Sequence, residues 1–197
     1  MRYETVVAVG ILATLLVLSA PARSIFTDVA KSQGNEFGSG EFDIGISKDG
    51  NRFYDDLKLF EFSDLKPGDE RTFTFYVKNR GEVDVSRLAM VFDIEDLEDG
   101  MSSAEEEVDN TPNVGELSGY LTIEELKVYL GNDSWSIDSV KGKSLRELNG
   151  TEVELLTEPM KEDEILRVSV TVKFSREAGN ECQTDKVIVN VEFNAEQ

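Results

Sequence analysis

The longest alternating stretch of the sequence is Leu166-Arg167-Val168-Ser169-Val170-Thr171-Val172-Lys173-Phe174, in which every second residue is apolar. Alternation of this kind predicts a β-strand with one face in a core and the other in water. Similar patterns predict further strands over 41–47, 57–62, 72–78, 88–94, 126–130 and 187–193. Only 117–124 and 144–148 have the pattern of short helices. The sequence therefore predicts an all-β fold, a jelly-roll-like β-sandwich with a long acidic loop and one or two short helices.

The N-terminus has the pattern of an export signal. Residues 6–20 are apolar except for Thr14 and Ser19, and Ala20-Pro21-Ala22 is the small-x-small sequence that signal peptidase cleaves. The apolar run is short for a bilayer crossing, which takes roughly 20 apolar residues. We therefore expect a signal peptide over 1–22, with an uncleaved N-terminal anchor as the alternative. The expected protein is secreted, extracellular or at the cell surface, and meets the membrane only during export.

Composition excludes several classes of function. The chain has 40 acidic and 20 basic residues, a net charge of −20, and so repels nucleic acid and anionic lipid. It has no histidine, which excludes His-Glu-x-x-His zinc proteases, Ser-His-Asp triads and Cys-His dyads. Its single cysteine, Cys182, excludes an intrachain disulfide. We expect no catalytic residues and no enzyme activity, although a pair of carboxylates for glycoside hydrolysis stays open in so acidic a chain.

The long insertion 95–113 is rich in aspartate and glutamate. Hard cations bind several carboxylate and carbonyl oxygens, so Glu95, Asp96 and Asp99 are candidate calcium ligands. The EF-hand pattern fails at Leu97, however, and a solvated loop without a metal is the alternative. We expect no other cofactor. Asn132 and Asn149 each begin an Asn-x-Ser/Thr sequence and are candidate glycosylation sites.

The segment after the signal has the character of a strand. Ile25, Phe26 and Val29 are apolar, and residues 31–35 are polar. Such a segment either pairs with its own sheet or inserts as a strand into the sheet of the next subunit. Because donor and acceptor surfaces differ, the second arrangement is head-to-tail and propagates into a filament. We therefore divide the mature chain into a donor-strand segment, 23–40, with Ile25, Phe26 and Val29 as its contacts, and a jelly-roll domain, 41–197.

An ordered set of short motifs resembles the TasA/camelysin family of biofilm-matrix fibre proteins and the related archaeal bundling pilins. The similar segments begin with Phe26-Thr27-Asp28-Val29 after the signal and Ser39-Gly40-Glu41-Phe42-Asp43-Ile44 as a first strand. They continue through the turn Leu65-Lys66-Pro67-Gly68-Asp69, the stretch 77–81, the segment 180–183 and the closing stretch 193–197.

The resemblance implies a jelly-roll subunit that polymerises with copies of itself, head to tail, by donor-strand complementation. Its filaments would support biofilm or cell–cell adhesion and could bundle with neighbouring filaments. The metallopeptidase label that camelysins carry does not suit a chain without histidine. The alternative function is a monomeric secreted surface domain that binds calcium or a partner through its acidic loop.

Overall fold

The computed structural model describes residues 27–29, 42–60, 62, 65–98, 100, 102–109, 111 and 114–197. These ranges contain nine strands: β1 (Thr27–Val29), β2 (Ile44–Ser47), β3 (Glu70–Asn79), β4 (Arg87–Leu97), β5 (Leu121–Leu130), β6 (Asp133–Ser136), β7 (Glu152–Glu154), β8 (Ile165–Phe174) and β9 (Lys186–Glu196). Two short α-helices are α1 (Leu117–Tyr120) and α2 (Leu145–Leu148), and 3-10 turns lie at Asp138–Val140 and Asn180–Cys182. No helix in these ranges is long and apolar enough to span a membrane.

The strands form two antiparallel sheets. One has the order β1-β9-β4-β7 and the other the order β2-β3-β8-β5-β6. The strand with the longest alternation, β8, lies in the centre of the five-stranded sheet and pairs along its whole length with β3. In the other sheet, β4 and β9 pair from Arg87 opposite Glu196 to Leu97 opposite Lys186. These two long pairings fix the register of the sandwich.

The core lies between the two sheets and is built from the inward residues of the alternating strands. Phe75 of β3 contacts Phe193 of β9 with ring centroids 5.7 Å apart, so this pair joins the two sheets. Phe92 of β4 is fully buried and contacts Phe60, 6.3 Å away, in the chain between β2 and β3. Burial of an aromatic or large aliphatic side chain contributes roughly 1.5–3 kcal/mol, so this layer supplies most of the stabilisation.

One arginine links three strands of the four-stranded sheet. Arg87, at the start of β4, forms ion pairs of 2.8 Å with both Glu152 and Glu154 of β7, and of 2.7 Å with Glu196 at the end of β9. The guanidinium group thus offsets the repulsion among three carboxylates that the strand pairing brings together. The hydrogen bond to Glu152, with that to Glu196 and the charges of Glu154 and Glu152, raises the pKa of Arg87 against the opposing effect of burial, so the arginine stays charged.

The all-β sandwich expected from the sequence is confirmed, and two details differ. Residues 57–60 and 62 are not in a strand; Phe60 and Phe62 instead stack at 6.4 Å and both contact Phe73, so their alternation reflects packing without strand pairing. The helix expected over 117–124 ends at Tyr120, where β5 begins. The helix expected over 144–148 is α2, which begins after a capping box between Ser144 and Glu147.

Candidate functional site

The last strand of the chain, β9, has different neighbours on its two sides. On one side β4 pairs with it over its full length. On the other side β1 pairs only with its final residues, with Thr27 opposite Glu196 and Val29 opposite Asn194. Among the described residues, no other strand pairs with this second side of β9. We call residues 187–193 on this side the open edge.

The direction of the backbone groups at the open edge follows from the neighbouring strand. The carbonyls of Leu88 and Phe92 in β4 accept hydrogen bonds from Leu155 and Gly150, on the side of β4 away from β9. Successive residues of a strand point their backbone groups to opposite sides, so the odd-numbered residues of β4 are the ones that form hydrogen bonds with β9. Their partners in β9 are the even-numbered residues. The odd-numbered residues of β9, from Val187 to Phe193, therefore direct their N–H and C=O groups to the open edge.

The open edge has an apolar character. Val189 and Phe193 are buried beneath it, and Ile188 exposes 40% of its surface on the opposite face of the sheet. A long edge of this kind is a template for pairing with another strand. Of the three residues expected to form donor-strand contacts, Val29 lies in β1, and Ile25 and Phe26 lie outside the described residues. The pairing observed for Val29 is with the chain's own β9, the first of the two arrangements that the sequence left open.

A second feature is a group of acidic residues next to the start of β9, in which Glu105 is buried and the others are partly buried. Carboxylate oxygens of Glu98, Glu105 and Asp185 all lie within 4.8 Å of one another. Asp109 and Glu116 are close enough to act electrostatically on this group. We call these five residues the carboxylate cluster. Glu98 directly follows β4 and Asp185 directly precedes β9, so the β4–β9 pairing brings together residues far apart in sequence.

The surroundings of the cluster shift its pKa values in different directions. Burial, together with the charges of Glu98 and Glu116, raises the pKa of Asp185 to about 6, against the opposing backbone hydrogen bonds. Burial also raises the pKa of Glu98, and the nearby Glu105 adds to the shift. Burial acts to raise the pKa of Glu105 too, but hydrogen bonds from Thr184 and Ser102 outweigh it and the net shift is downward. The pKa is thus shifted downward at the fully buried Glu105 and upward at its neighbours Glu98 and Asp185.

The metal candidates expected from the sequence lie outside this cluster. Glu95 is exposed on β4, and Asp99 lies outside the described residues. Both carboxylate oxygens of Asp96 already accept hydrogen bonds from Ser118, and Arg146 pairs with one of them at 3.3 Å. The acidic insertion includes Glu98, but no local pattern could have linked it to Asp185, which is 87 residues further along the chain.

The two glycosylation candidates differ in their surroundings. Asn132 is exposed in the turn between β5 and β6. Asn149 is also exposed, but its Oδ1 atom accepts a hydrogen bond of 2.9 Å from the N–H of Ile94 in β4. Its amide thus takes part in the fold, while glycosylation at either position stays a prediction.

Comparison with known proteins gives one family. The sequence model described as camelysin metallo-endopeptidase matches residues 4–197. No curated protein matches the chain at a significant level. The described acidic cluster offers only carboxylate oxygens, and the chain has no histidine. This donor set does not fit the histidine-containing zinc sites of metallopeptidases.

Proposed function

The chain belongs to the camelysin family, and on this premise we propose that it is a structural subunit of an extracellular filament. Proteins of the TasA/camelysin family are generally extracellular or surface-associated. In our proposal, the donor-strand segment 23–40 of one copy adds as a strand to β9 of the next copy. Repetition of this head-to-tail contact gives a filament that supports biofilm or cell–cell adhesion.

The observation that carries the proposal is the pairing between β1 and β9. Thr27–Val29 form an antiparallel ladder with residues 194–196, so the N-terminal segment is suited to the edge of β9. In the same register, donor residues following Val29 would lie opposite residues 193 to 187 of the acceptor. A strand supplied by a neighbour can therefore keep the observed pairs and extend them along the open edge.

The chain is long enough to exchange β1 between copies. Twelve residues, 30–41, separate β1 from Phe42, which is two residues before β2. Strand β2 lies in the five-stranded sheet and β1 in the four-stranded sheet. A fully extended connection of this length spans roughly 40 Å. Exchange of an identical element between copies has a low energetic cost because the contacts made within one chain are remade between two.

The strength of the contact would come from main-chain pairing and apolar burial. Each hydrogen bond contributes about 0.5–1.5 kcal/mol net. In this register Val29 lies in the ladder and Ile25 and Phe26 directly precede it; each of these proposed contacts adds roughly 1.5–3 kcal/mol where its side chain becomes buried on the neighbouring copy. Several such contacts per subunit are sufficient for a filament, because every copy is held at both ends.

We propose no catalytic role. The only group of three or more metal-binding side chains among the described residues is the carboxylate group around Glu98, Glu105 and Asp185. The mature protein is expected to leave casein intact, with or without a chelator. Casein cleavage that co-purifies with the protein and stops with chelator would contradict this part of the proposal.

The proposal is tested by negative-stain microscopy of the mature protein beside a variant that lacks residues 23–35. Filaments are expected only from the intact protein. Phe26→Asp is expected to give a folded monomer that does not polymerise, since a charge replaces an apolar contact. Filaments of normal length from either variant would refute the role of this segment. Monomers from all three proteins, in low and high salt, would favour the alternative of a monomeric surface domain.

A further inference from the structure

The carboxylate cluster contains buried oxygen atoms that have no partner. They are Oε2 of Glu98, Oδ2 of Asp109, Oε2 of Glu116 and Oδ1 of Asp185. The ion pairs seen between described residues lie elsewhere, and the charged groups that shift the pKa values of Glu98 and Asp185 are other carboxylates. Burying a carboxylate oxygen that has neither a hydrogen-bond donor nor a counter-charge carries a desolvation cost.

In Asp185, Asp109 and Glu116 the second oxygen accepts a hydrogen bond from a neighbouring donor. Oδ2 of Asp185 accepts from the backbone N–H groups of Glu116 and Leu117, at 2.5 and 3.2 Å. Oε1 of Glu98 lies 3.4 Å from the hydroxyl of Thr184. The two backbone donors fix the orientation of Asp185, whose Oδ1 has no partner, while Glu98 shares the Thr184 hydroxyl with the closer Glu105.

The same division holds on the other side of the cluster. Oδ1 of Asp109 accepts from the N–H of Thr111 at 2.7 Å, and the hydroxyl of Thr111 contacts both Asp109 and Oε1 of Glu116. Glu105, which is fully buried, differs from the others because donors reach both of its oxygens. Its Oε2 accepts from the N–H of Ser102 at 3.1 Å and from the hydroxyl of Thr184 at 2.6 Å, and its Oε1 accepts from the N–H of Thr184 at 3.4 Å. Outer hydrogen bonds that orient one oxygen and leave the other free are typical of the surroundings of metal ligands.

We propose that the carboxylate cluster is a calcium-binding site, with Glu98, Glu105 and Asp185 as its central ligands and the free oxygens of Asp109 and Glu116 completing it. Calcium takes six to eight oxygen ligands in flexible geometry, which suits carboxylates contributed by two separate parts of the chain, the segment after β4 and the residue before β9. Magnesium requires a nearly ideal octahedron and retains water, and zinc prefers nitrogen and sulfur ligands. The site goes beyond the proposed filament function and does not depend on it.

Calcium at this position would connect the acidic insertion to the sandwich. Three ligands lie in the segment between β4 and α1, a fourth directly follows β4, and Asp185 directly precedes β9. The ion would thus hold the insertion against the beginning of β9, the strand that carries the open edge. Neutralising the buried charges would remove the repulsion that the fold otherwise tolerates.

The test uses mature protein treated with EDTA and dialysed, then titrated with calcium chloride or magnesium chloride by isothermal calorimetry. Calcium is expected to bind at least tenfold more tightly than magnesium. At a calcium concentration 100-fold above the dissociation constant, the melting temperature is expected to rise by about 5–10 °C. No binding heat and no rise in melting temperature would overturn the proposal.

Variants separate a ligand from a merely structural residue. Asp185→Asn keeps the shape and the oxygen that accepts from the backbone but removes the buried charge. Without metal it is expected to melt at a higher temperature than the unmodified protein, and to lose at least nine-tenths of the calcium-induced rise. Glu98→Gln is expected to behave in the same way, and Glu95→Gln, an exposed control on β4, should leave binding unchanged. Undiminished calcium stabilisation of both cluster variants would contradict the assignment, whatever the outcome of the filament experiments.

Discussion

Replacement of Val191 by proline tests the open edge without touching the observed β1–β9 ladder. The N–H of Val191 points away from β4, so proline removes no hydrogen bond of the β4–β9 pairing. Proline is tolerated on an edge strand where its missing N–H faces outward. We therefore expect a folded monomer that is less stable by at most about 2 kcal/mol.

The effect on assembly is expected to be larger. The variant loses one hydrogen bond between copies, worth about 0.5–1.5 kcal/mol, and leaves the carbonyl of the incoming strand unpaired, at about 1–3 kcal/mol. Together these amount to roughly 1.5–4.5 kcal/mol, or about a 10- to 1,600-fold rise in the concentration needed for assembly. The critical concentration is measured by sedimentation, and the fold by circular dichroism and urea unfolding.

Two controls accompany this variant. Val191→Thr keeps the N–H and the branched shape, so it should assemble close to normally. Asn190→Pro removes an N–H that faces β4 and should destabilise the monomer itself. If Val191→Pro forms filaments at the unmodified critical concentration, the open edge is not the surface that receives a neighbouring strand.

Two further predictions concern the fold. Arg87→Gln leaves three neighbouring carboxylates without their cation, so the free energy of unfolding in urea should fall by about 1–2 kcal/mol, and by less in high salt. Lys173→Gln is the control. The ion pairs of Lys173 are 3.6 and 3.7 Å long, so its loss should lower the free energy of unfolding by less than about 0.5 kcal/mol. An equal loss in both variants would contradict the role of the Arg87 network. Burial and nearby carboxylates raise the pKa of Cys182 from 9.0 to about 11, so its alkylation at pH 8 should be roughly 100-fold slower than that of an exposed cysteine and should accelerate as the pH rises. Equal alkylation rates in folded and urea-unfolded protein would refute this environment for the thiol.

Much of the sandwich could be predicted because each long strand carries its own alternation. Val168 and Val170 in β8, for example, are both fully buried, as a period of two requires. Short edge strands such as β7, with three residues, contain too few positions for alternation to be visible. For residues 57–62 the alternation predicts a strand that the described residues of this segment do not form, because Phe60 is apolar for packing against Phe73 and not for strand pairing.

The carboxylate cluster could not be predicted, because its geometry depends on tertiary structure. The insertion showed an excess of acidic residues, but the sequence did not indicate which of them are buried. The sequence favours Asp96 as a calcium ligand, but in the fold Ser118 and Arg146 already bind its carboxylate oxygens. Asp185 lies in a turn before β9 with no acidic run around it, and only the β4–β9 pairing brings it to Glu98. The donor-strand role of residues 23–40, in contrast, stays a prediction made from the apolar residues of that segment.

The most direct test of the filament proposal is a cysteine pair across β1 and β9. Val29 lies opposite Asn194, so Val29→Cys and Asn194→Cys in a Cys182→Ser background place two thiols at a distance that a disulfide can close. The protein is allowed to assemble, oxidised and separated on a non-reducing denaturing gel, with each single cysteine variant as control. The proposal predicts a ladder of covalent multimers from the double variant and at most dimers from the controls. A double variant that is fully oxidised yet migrates only as a monomer would show that the strand pairs within its own chain, and would contradict the proposal.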